Sequence, residues 1–210
     1  MRDGILPAIK LSTIQLLRKR VLVVGLILLG AFSVIVHSTW TEEDGIHERI
    51  EWVGIFLIVI CILGRTWCSY YISGRKDTTL VTVGPYSVCR NPLYVFSIIG
   101  AFGVGAQFGS LVAAVVFGAV TWIIFDMVAV QEEKSLLNAY GQVYDDYRAR
   151  VPRFLPRPSR WRGAEVVNVH YDRVARTFID ANVFLLAIPL CEALEYFQDA
   201  GLWPVLFRIP

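Results

Sequence analysis

The most constraining feature of this sequence is an apolar run from Leu93 to about Met127, 35 residues long. About 20 helical residues cross the hydrocarbon core of a bilayer, so this run is too long for one span. Glycines and Gln107 interrupt it near residues 105–109. The run therefore predicts a membrane-inserted helical hairpin that turns at this point. The small residues of its first arm allow close packing against another helix.

The composition agrees with a membrane protein. Of the 210 residues, 55% are hydrophobic and 18% are charged, whereas soluble domains have roughly 45–50% apolar residues and about a quarter charged ones. Three more apolar segments lie at about residues 21–40, 52–71 and 178–197. We therefore expect an all-α integral membrane protein with about five transmembrane helices. The last segment contains Pro189 and several carboxylates, so it either spans the bilayer or lies flat at the interface.

The positive charges alternate along the chain in a way that predicts its orientation. Lysine and arginine number five in residues 1–20, four in residues 65–90 and nine in residues 134–176, but only one in residues 38–50. By the positive-inside rule, the N-terminus and the two later basic segments face the cytoplasm. The expected localisation is a multi-pass protein of a bacterial inner membrane or its equivalent. Arg65 lies toward one end of a span, where its long side chain can reach the headgroups.

We divide the chain into three parts. Residues 1–72 form a basic segment with two spans, residues 73–162 a core that includes the hairpin and a cytoplasmic cofactor-binding region, and residues 163–210 a linker with a final membrane helix. The four cysteines form no CxxC pair and have no histidine partner at zinc spacing, so neither a disulfide nor a metal site is expected. Nothing in the sequence indicates a nucleic-acid partner, and it leaves the oligomeric state open.

Two polar motifs flank the hairpin. The first, residues 78–94, has rigid turns at Gly84-Pro85 and Asn91-Pro92 that enclose an arginine and a tyrosine. The second, residues 131–156, begins with Glu132-Glu133 where the second arm leaves the membrane and continues with tyrosines and arginines. Each motif alone is also compatible with a plain turn, a solvated helix end or anchoring to anionic headgroups.

Together the two motifs provide carboxylates, an arginine, an asparagine and aromatic rings at one membrane face. Carboxylates hold ammonium groups or hydroxyls, while arginine and asparagine hold an acid group. Aromatic faces attract a sulfonium by roughly 0.5–2 kcal/mol. S-Adenosylmethionine carries all three kinds of group, so this chemistry is compatible with it without selecting it uniquely.

The order and spacing of these motifs resemble the isoprenylcysteine carboxyl methyltransferase and phospholipid N-methyltransferase superfamily of membrane enzymes. The family signature is a G-x-Y-x-x-x-R-H-P-x-Y loop, an apolar hairpin, E-E-x-x-L, and then F-G-x-x-Y-x-x-Y-x-x-x-V-P-R. The resemblance covers about residues 75–158. The matching residues are Gly84, Pro85, Tyr86, Arg90, Asn91, Pro92, Leu93, Tyr94, Glu132, Glu133, Leu136, Tyr140, Gly141, Tyr144, Tyr147, Val151, Pro152 and Arg153.

The resemblance implies S-adenosylmethionine as cofactor and a lipid-like acceptor that enters from the bilayer. The residues it implicates in cofactor binding are Thr78, Thr79, Leu80, Val81, Gly84, Pro85, Tyr86, Asn91, Pro92, Leu93, Tyr94 and Glu132. We assign Arg90 to orienting an anionic group and Glu133 to accepting a proton, which an amine acceptor would need and a carboxylate acceptor would not. The expected reaction is direct in-line methyl transfer, in which the protein supplies positioning and excludes water.

Two positions depart from the family pattern. Asn91 replaces the usual histidine, so this position can form hydrogen bonds but cannot carry a charge. Val128 stands where the eukaryotic prenylcysteine enzymes have an arginine that holds the substrate carboxylate. The acceptor is therefore either a prenylcysteine-like carboxylate or a phospholipid amine. The alternatives are a non-catalytic protein on the same scaffold and an NADPH-dependent enzyme of the sterol-reductase type, which has a similar R-H-P-x-Y pattern.

Overall fold

A computed structural model of the chain describes residues 36–40, 45–73, 79–202, 205 and 207–209. These residues are mostly helical. The α-helices are α1 (Ile46–Ser73), α2 (Pro85–Val88), α3 (Pro92–Ala106), α4 (Leu111–Tyr140), α5 (Gln142–Arg150), α6 (Tyr171–Asn182) and α7 (Ala187–Asp199). Single 3-10 turns lie at Pro158–Arg160 and Val183–Leu186, and two short strands are β1 (Val36–Ser38) and β2 (Phe207–Ile209).

Three helical segments of the described chain are long and apolar enough to cross a membrane. They are α1 with 28 residues, α4 with 30, and the continuous stretch Tyr171–Asp199 with 29. Helix α3 is apolar but shorter, and its 15 residues reach about 22 Å. The prediction of an all-α integral membrane protein is confirmed.

The predicted first span, residues 21–40, lies largely outside the described residues. Where its end is described, Val36–Ser38 form β1, which pairs in parallel with β2 so that Val36 is opposite Phe207. The prediction of a helix as far as Trp40 is therefore wrong for these residues. The sequence there, VIVHST, is rich in β-branched residues, which favour an extended backbone.

The helical hairpin is confirmed. Helices α3 and α4 are joined by residues 107–110, where Gly109 has φ +55°. Ser110 caps α4 by accepting a hydrogen bond from the Ala113 amide at 3.2 Å. Helix α4 continues to Gly141, whose φ of +54° ends it, so the two glutamates lie in its last turns, as predicted.

Small residues bring α1 and α3 close together. A Cβ atom on Gly103 would lie 2.7 Å from the carbonyl oxygen of Gly54, and one on Gly54 would lie 2.8 Å from that of Gly103. These distances leave no room for a side chain, so the backbones approach each other as in other small-residue helix pairs. The packing role predicted for the glycines of the hairpin is therefore confirmed at Gly103.

The last helical segment runs antiparallel to α1. Arg173 donates to the carbonyl of Ser73 at 3.0 Å at one end, and Glu195 lies 3.6 Å from His47 at the other. Its 3-10 turn, Val183–Leu186, comes just before Pro189, which has no N–H to donate to the helix. The segment is thus in contact with α1 near both ends of that helix.

Candidate functional site

The loop before α3 has a fixed shape that depends on Gly84. Its φ is +61°, and a Cβ atom there would lie 2.2 Å from the Tyr71 ring. Its amide donates to the carbonyl of Arg162 at 2.7 Å. Pro85 then begins α2, a single turn that closes at Cys89. The predicted turn is therefore present, and it needs a glycine for both its backbone conformation and its space.

The two polar motifs dock on each other through main-chain hydrogen bonds. The amide of Arg90 donates to the Pro152 carbonyl at 2.9 Å, and the amide of Asn91 donates to the Arg153 carbonyl at 3.2 Å. The Tyr147 hydroxyl donates to the Tyr86 carbonyl at 2.7 Å. The two amide bonds fix the backbones of both segments independently of their side chains, and the Tyr147 hydroxyl adds a side-chain bond to them. The two motifs therefore form one structure at one end of the helices.

At the centre of this structure Glu133 lies between two arginines. Arg153 donates to both of its carboxylate oxygens, each at 3.0 Å, and Nη2 of Arg90 lies 3.3 Å from Oε1. Arg153 also donates to Asp126 at 2.8 Å. Asp126 and Glu133 are seven residues apart on α4, which puts both carboxylates on the same face. We refer to Arg90, Asp126, Glu133 and Arg153 as the arginine–carboxylate cluster.

The cluster is only partly accessible to water, which strengthens its charge interactions. The side chains of Arg90 and Glu133 are 12% and 11% exposed, and that of Arg153 is 32% exposed. The hydrogen bond to Glu133 is the main cause that raises the pKa of Arg153 above its usual value. Two of the four charges are thus held with little hydration, an arrangement that is stable only while the charges stay paired.

Two buried polar atoms in the first motif have no hydrogen-bond partner in the described part of the chain: Nε of Arg90 and the hydroxyl of Tyr86. Burial raises the pKa of the Tyr86 phenol well above its usual value, so this group stays a neutral donor. Unsatisfied buried donors are rare in folded proteins and indicate a place for a polar ligand or water. Glu132, half-buried beside Glu133, adds a carboxylate. These groups fit a ligand with acid, amino and hydroxyl functions.

The predicted apolar cofactor residues lie on either side of this polar centre. Val81 and Tyr86 are buried together with Cys68, and Leu93 packs against them. Leu80 packs on the cluster formed by the tyrosines of α5. The remaining predicted positions are Gly84, Pro85 and Pro92, which are buried, Asn91, which is half-buried, Thr79, which is exposed, and Thr78, which lies outside the described residues.

The two departures from the family pattern occupy different surroundings. Asn91 precedes α3, and its side-chain amide reaches the Arg153 carbonyl at 3.4 Å, so it contributes to the docking of the two motifs. Val128 is 7% exposed in an apolar cluster with Phe125, and Tyr94 stacks on Phe125 with a centroid distance of 4.5 Å. No charged group can be accommodated at position 128 without a partner.

Sequence reasoning missed three residues of this site. Arg153 was noticed only as part of the V-P-R motif, although its side chain contacts two acidic residues. Asp126 is the second missed residue. Its seven-residue spacing from Glu133 was the available signal that the two carboxylates share a partner. Arg65 also differs from expectation: it donates to Ser97 on α3, and its Nε is buried without a partner among the described residues. It turns toward α3. Tyr147 is the third missed residue, because the sequence identifies it only as an aromatic position of the second motif.

Comparison with known proteins supports this arrangement. The family described as "Phospholipid methyltransferase" matches residues 52–143. A cobalt-zinc-cadmium resistance protein of Cupriavidus metallidurans is 36% identical over 79% of this chain and 76% of its own. A nickel-cobalt-cadmium resistance protein of Alcaligenes xylosoxydans is 35% identical over 83% of this chain and 81% of its own. No solved structure matches significantly.

A third relative carries an enzyme name. The protein-S-isoprenylcysteine O-methyltransferase of Rattus norvegicus is 38% identical over 56% of this chain and 42% of its own length. Both motifs flank a hairpin that the family match covers almost completely. The chain is a membrane protein that belongs to the methyltransferase superfamily of the phospholipid and isoprenylcysteine carboxyl methyltransferases.

Proposed function

We propose that this protein transfers a methyl group from S-adenosylmethionine to a lipid-like acceptor where the bilayer meets the cytoplasm. The observation that carries the proposal is the arginine–carboxylate cluster, in which Glu133 joins Arg90 of the first motif to Arg153 of the second. Both motifs belong to the superfamily signature, and the positive charges that flank them favour a cytoplasmic position.

The residues of this chain have separate roles in the proposal. Tyr86 and Arg90 each offer an unsatisfied donor to the acid group or ring nitrogens of the cofactor, and Glu132 offers a carboxylate to its amino group or hydroxyls. Val81 and Leu93 exclude water from the apolar side. When bound, S-adenosylmethionine supplies a methyl group on an electrophilic sulfonium, so the protein has mainly to position the acceptor.

Glu133 was predicted to be the base for an amine acceptor. Its two oxygens already accept hydrogen bonds from Arg153, so a base role requires Arg153 to release one of them. In our proposal Glu133 acts first as a positioning residue that holds Arg90 and Arg153.

For the acceptor, the surroundings of Val128 favour a phospholipid amine over a prenylcysteine-like carboxylate. The eukaryotic prenylcysteine enzymes have an arginine at this position, and here the site is filled by apolar packing.

The test uses the full chain purified in detergent. Calorimetric titration with S-adenosylhomocysteine should give saturable binding, and titration with NADPH should give none. Glu132→Ala should weaken the binding at least tenfold, whereas Glu165→Gln, which changes an exposed carboxylate in the following segment, should leave it unchanged. Binding of NADPH alone would support the reductase alternative, and binding of neither would support a non-catalytic scaffold.

The acceptor is identified by labelled methyl transfer into a total extract of lipids and thiols. Label in phosphatidylethanolamine or its methylated forms would support the amine, and base-labile volatile label would support a methyl ester. A product in neither class from protein that binds S-adenosylhomocysteine would contradict the lipid-like acceptor but not the cofactor.

The names of the two bacterial relatives favour tolerance of divalent metals as the cellular context of this activity. In cells that lack the gene, we expect expression of this chain to restore growth in the presence of cobalt, zinc or cadmium. The Glu132→Ala variant should fail to do so if methyl transfer is the contribution. Full rescue by that variant would separate metal tolerance from methyl transfer.

A further inference from the structure

A second polar cluster lies at the opposite end of α1. His47 and Glu51 are one helical turn apart on α1, and Nε2 of His47 lies 3.4 Å from a carboxylate oxygen of Glu51. The same nitrogen lies 3.6 Å from an oxygen of Glu195 on α7. We call these three side chains the histidine–glutamate triad. One imidazole nitrogen thus faces two carboxylates from two different helices.

The distances in the triad suit a tetrahedral metal ion. Zinc binds imidazole nitrogen and carboxylate oxygen at roughly 2.0–2.1 Å, so two such ligands at the tetrahedral angle lie about 3.3 Å apart. The measured values of 3.4 and 3.6 Å are close to this separation. The three ligand atoms all lie within 4.8 Å of one another. Closing the remaining gap between the carboxylates therefore requires only about 1.5 Å of side-chain movement.

The hairpin tip holds the triad in place. A Cβ atom on Gly109 would lie 2.0 Å from Nδ1 of His47, so the glycine makes room for this edge of the ring while Nε2 faces the carboxylates. Gln107 donates to the main-chain carbonyl of Glu51 at 3.0 Å. Ser38 donates to the Gly109 carbonyl, also at 3.0 Å. These contacts hold the part of α1 that carries His47 and Glu51 against the hairpin tip, and such support is expected of a preorganised metal site.

The surroundings of the triad also favour a cation. The side chains of the triad are 11%, 28% and 21% exposed for His47, Glu51 and Glu195. A divalent ion at this place would interact favourably with both partly buried carboxylates. Donors of one nitrogen and two oxygens suit zinc, cobalt or nickel better than a soft ion.

We propose that His47, Glu51 and Glu195 bind a divalent first-row transition-metal ion, with water completing its coordination. This proposal departs from the expectation of no metal site, which rested on the spacing of the cysteines. It is independent of the proposed methyl transfer, because none of the three residues lies in either motif of the candidate site.

The experiment uses the full chain in detergent after treatment with a chelator. Titration with Zn²⁺ should show one saturable site per chain, and Co²⁺ should give visible absorption typical of a tetrahedral nitrogen and oxygen site. Glu195→Gln should weaken Zn²⁺ binding at least tenfold. Glu192→Gln, which changes an exposed carboxylate on the same helix, should alter it less than threefold.

Two measurements keep the result decisive. A cooperative thermal unfolding transition shows that Glu195→Gln is folded, and Glu51→Gln replaces it if it is not. The wild-type chain should also lose thermal stability on chelation and regain it with Zn²⁺. Absence of a saturable site, or equal Zn²⁺ affinity in the triad variants, would overturn the proposal and leave the triad as a histidine paired with two carboxylates.

Discussion

Replacing Glu133 with glutamine should destabilise the protein strongly, because this carboxylate is the centre of the arginine–carboxylate cluster. The amide has the same shape but carries no charge, and its NH₂ group would face a guanidinium donor of Arg153. The variant also leaves Arg90, only 12% exposed, without a negative partner. Buried ion pairs that lose one member typically cost about 3–5 kcal/mol.

The lower end of this range applies here, since Arg153 is 32% exposed and water and Asp126 recover part of its interactions. A loss of about 3 kcal/mol lowers the unfolding temperature by about 6–12 °C in a chain of this size. The assay is thermal unfolding in detergent without added ligand. Glu165→Gln, at an exposed position, is the matched control and should stay within about 0.5 kcal/mol of the wild type.

The double variant Glu133→Gln, Arg153→Gln tests the cause directly. If the single loss comes from unpaired guanidinium groups, the double variant should be less destabilised than the sum of the two single variants. The reasoning would be refuted if Glu133→Gln unfolded within about 2 °C of the wild type, a change below 1 kcal/mol. Glu132→Gln should weaken the binding of S-adenosylhomocysteine.

Two further predictions concern the loop and its surroundings. Gly84→Ala should destabilise the protein more than Gly141→Ala. Both glycines have positive φ, which costs a non-glycine residue about 1–2 kcal/mol. Only Gly84→Ala would also push a Cβ atom into the ring of Tyr71. Equal unfolding temperatures for the two variants would contradict the close contact. Burial raises the pKa of Cys89 from 9.0 to about 11 and that of Tyr144 from 10.0 to about 12. As the pH rises, the unfolded chain therefore releases these protons before the folded chain does. The free energy of unfolding should fall as the pH rises above about 9. Cys89→Ala should make that fall smaller in melts between pH 7 and 10, and an unchanged profile would show that Cys89 does not contribute to it.

The sequence predicted the hairpin for two physical reasons. A run of 35 apolar residues exceeds the thickness of a bilayer, and glycines mark the only place where it can turn. The structure has the turn at residues 107–110, within two residues of the expectation. The end of the first predicted span was wrong because hydrophobicity alone does not distinguish a helix from a buried strand, and Val36–Ser38 pair with a strand near the other end of the chain.

The sequence predicted Arg90 and Glu133 as residues of the candidate site, but it did not predict which side chains they pair with. The motifs identified Arg90 and Glu133 because these residue types stand at family positions. Whether a carboxylate accepts a proton or holds an arginine depends on what docks beside it, and the docking here is made by main-chain hydrogen bonds between residues about 60 positions apart. Periodicity within one helix carries no information about such contacts. Only the shared face of Asp126 and Glu133 could have pointed to Arg153.

The same limit applies to the histidine–glutamate triad, whose third member comes from α7. The spacing of His47 and Glu51 places both on one face of α1, but the antiparallel packing of the last helix decides that Glu195 joins them. The triad and the candidate methyl-transfer site are at opposite ends of α1, since the 24 residues from His47 to Tyr71 correspond to about 36 Å. Charges screened over about 8 Å in physiological salt cannot couple sites at that distance through water. Any influence of a metal ion on methyl transfer must therefore pass through the packing of α1, where Gly54 and Gly103 leave no space for the two helices to shift independently.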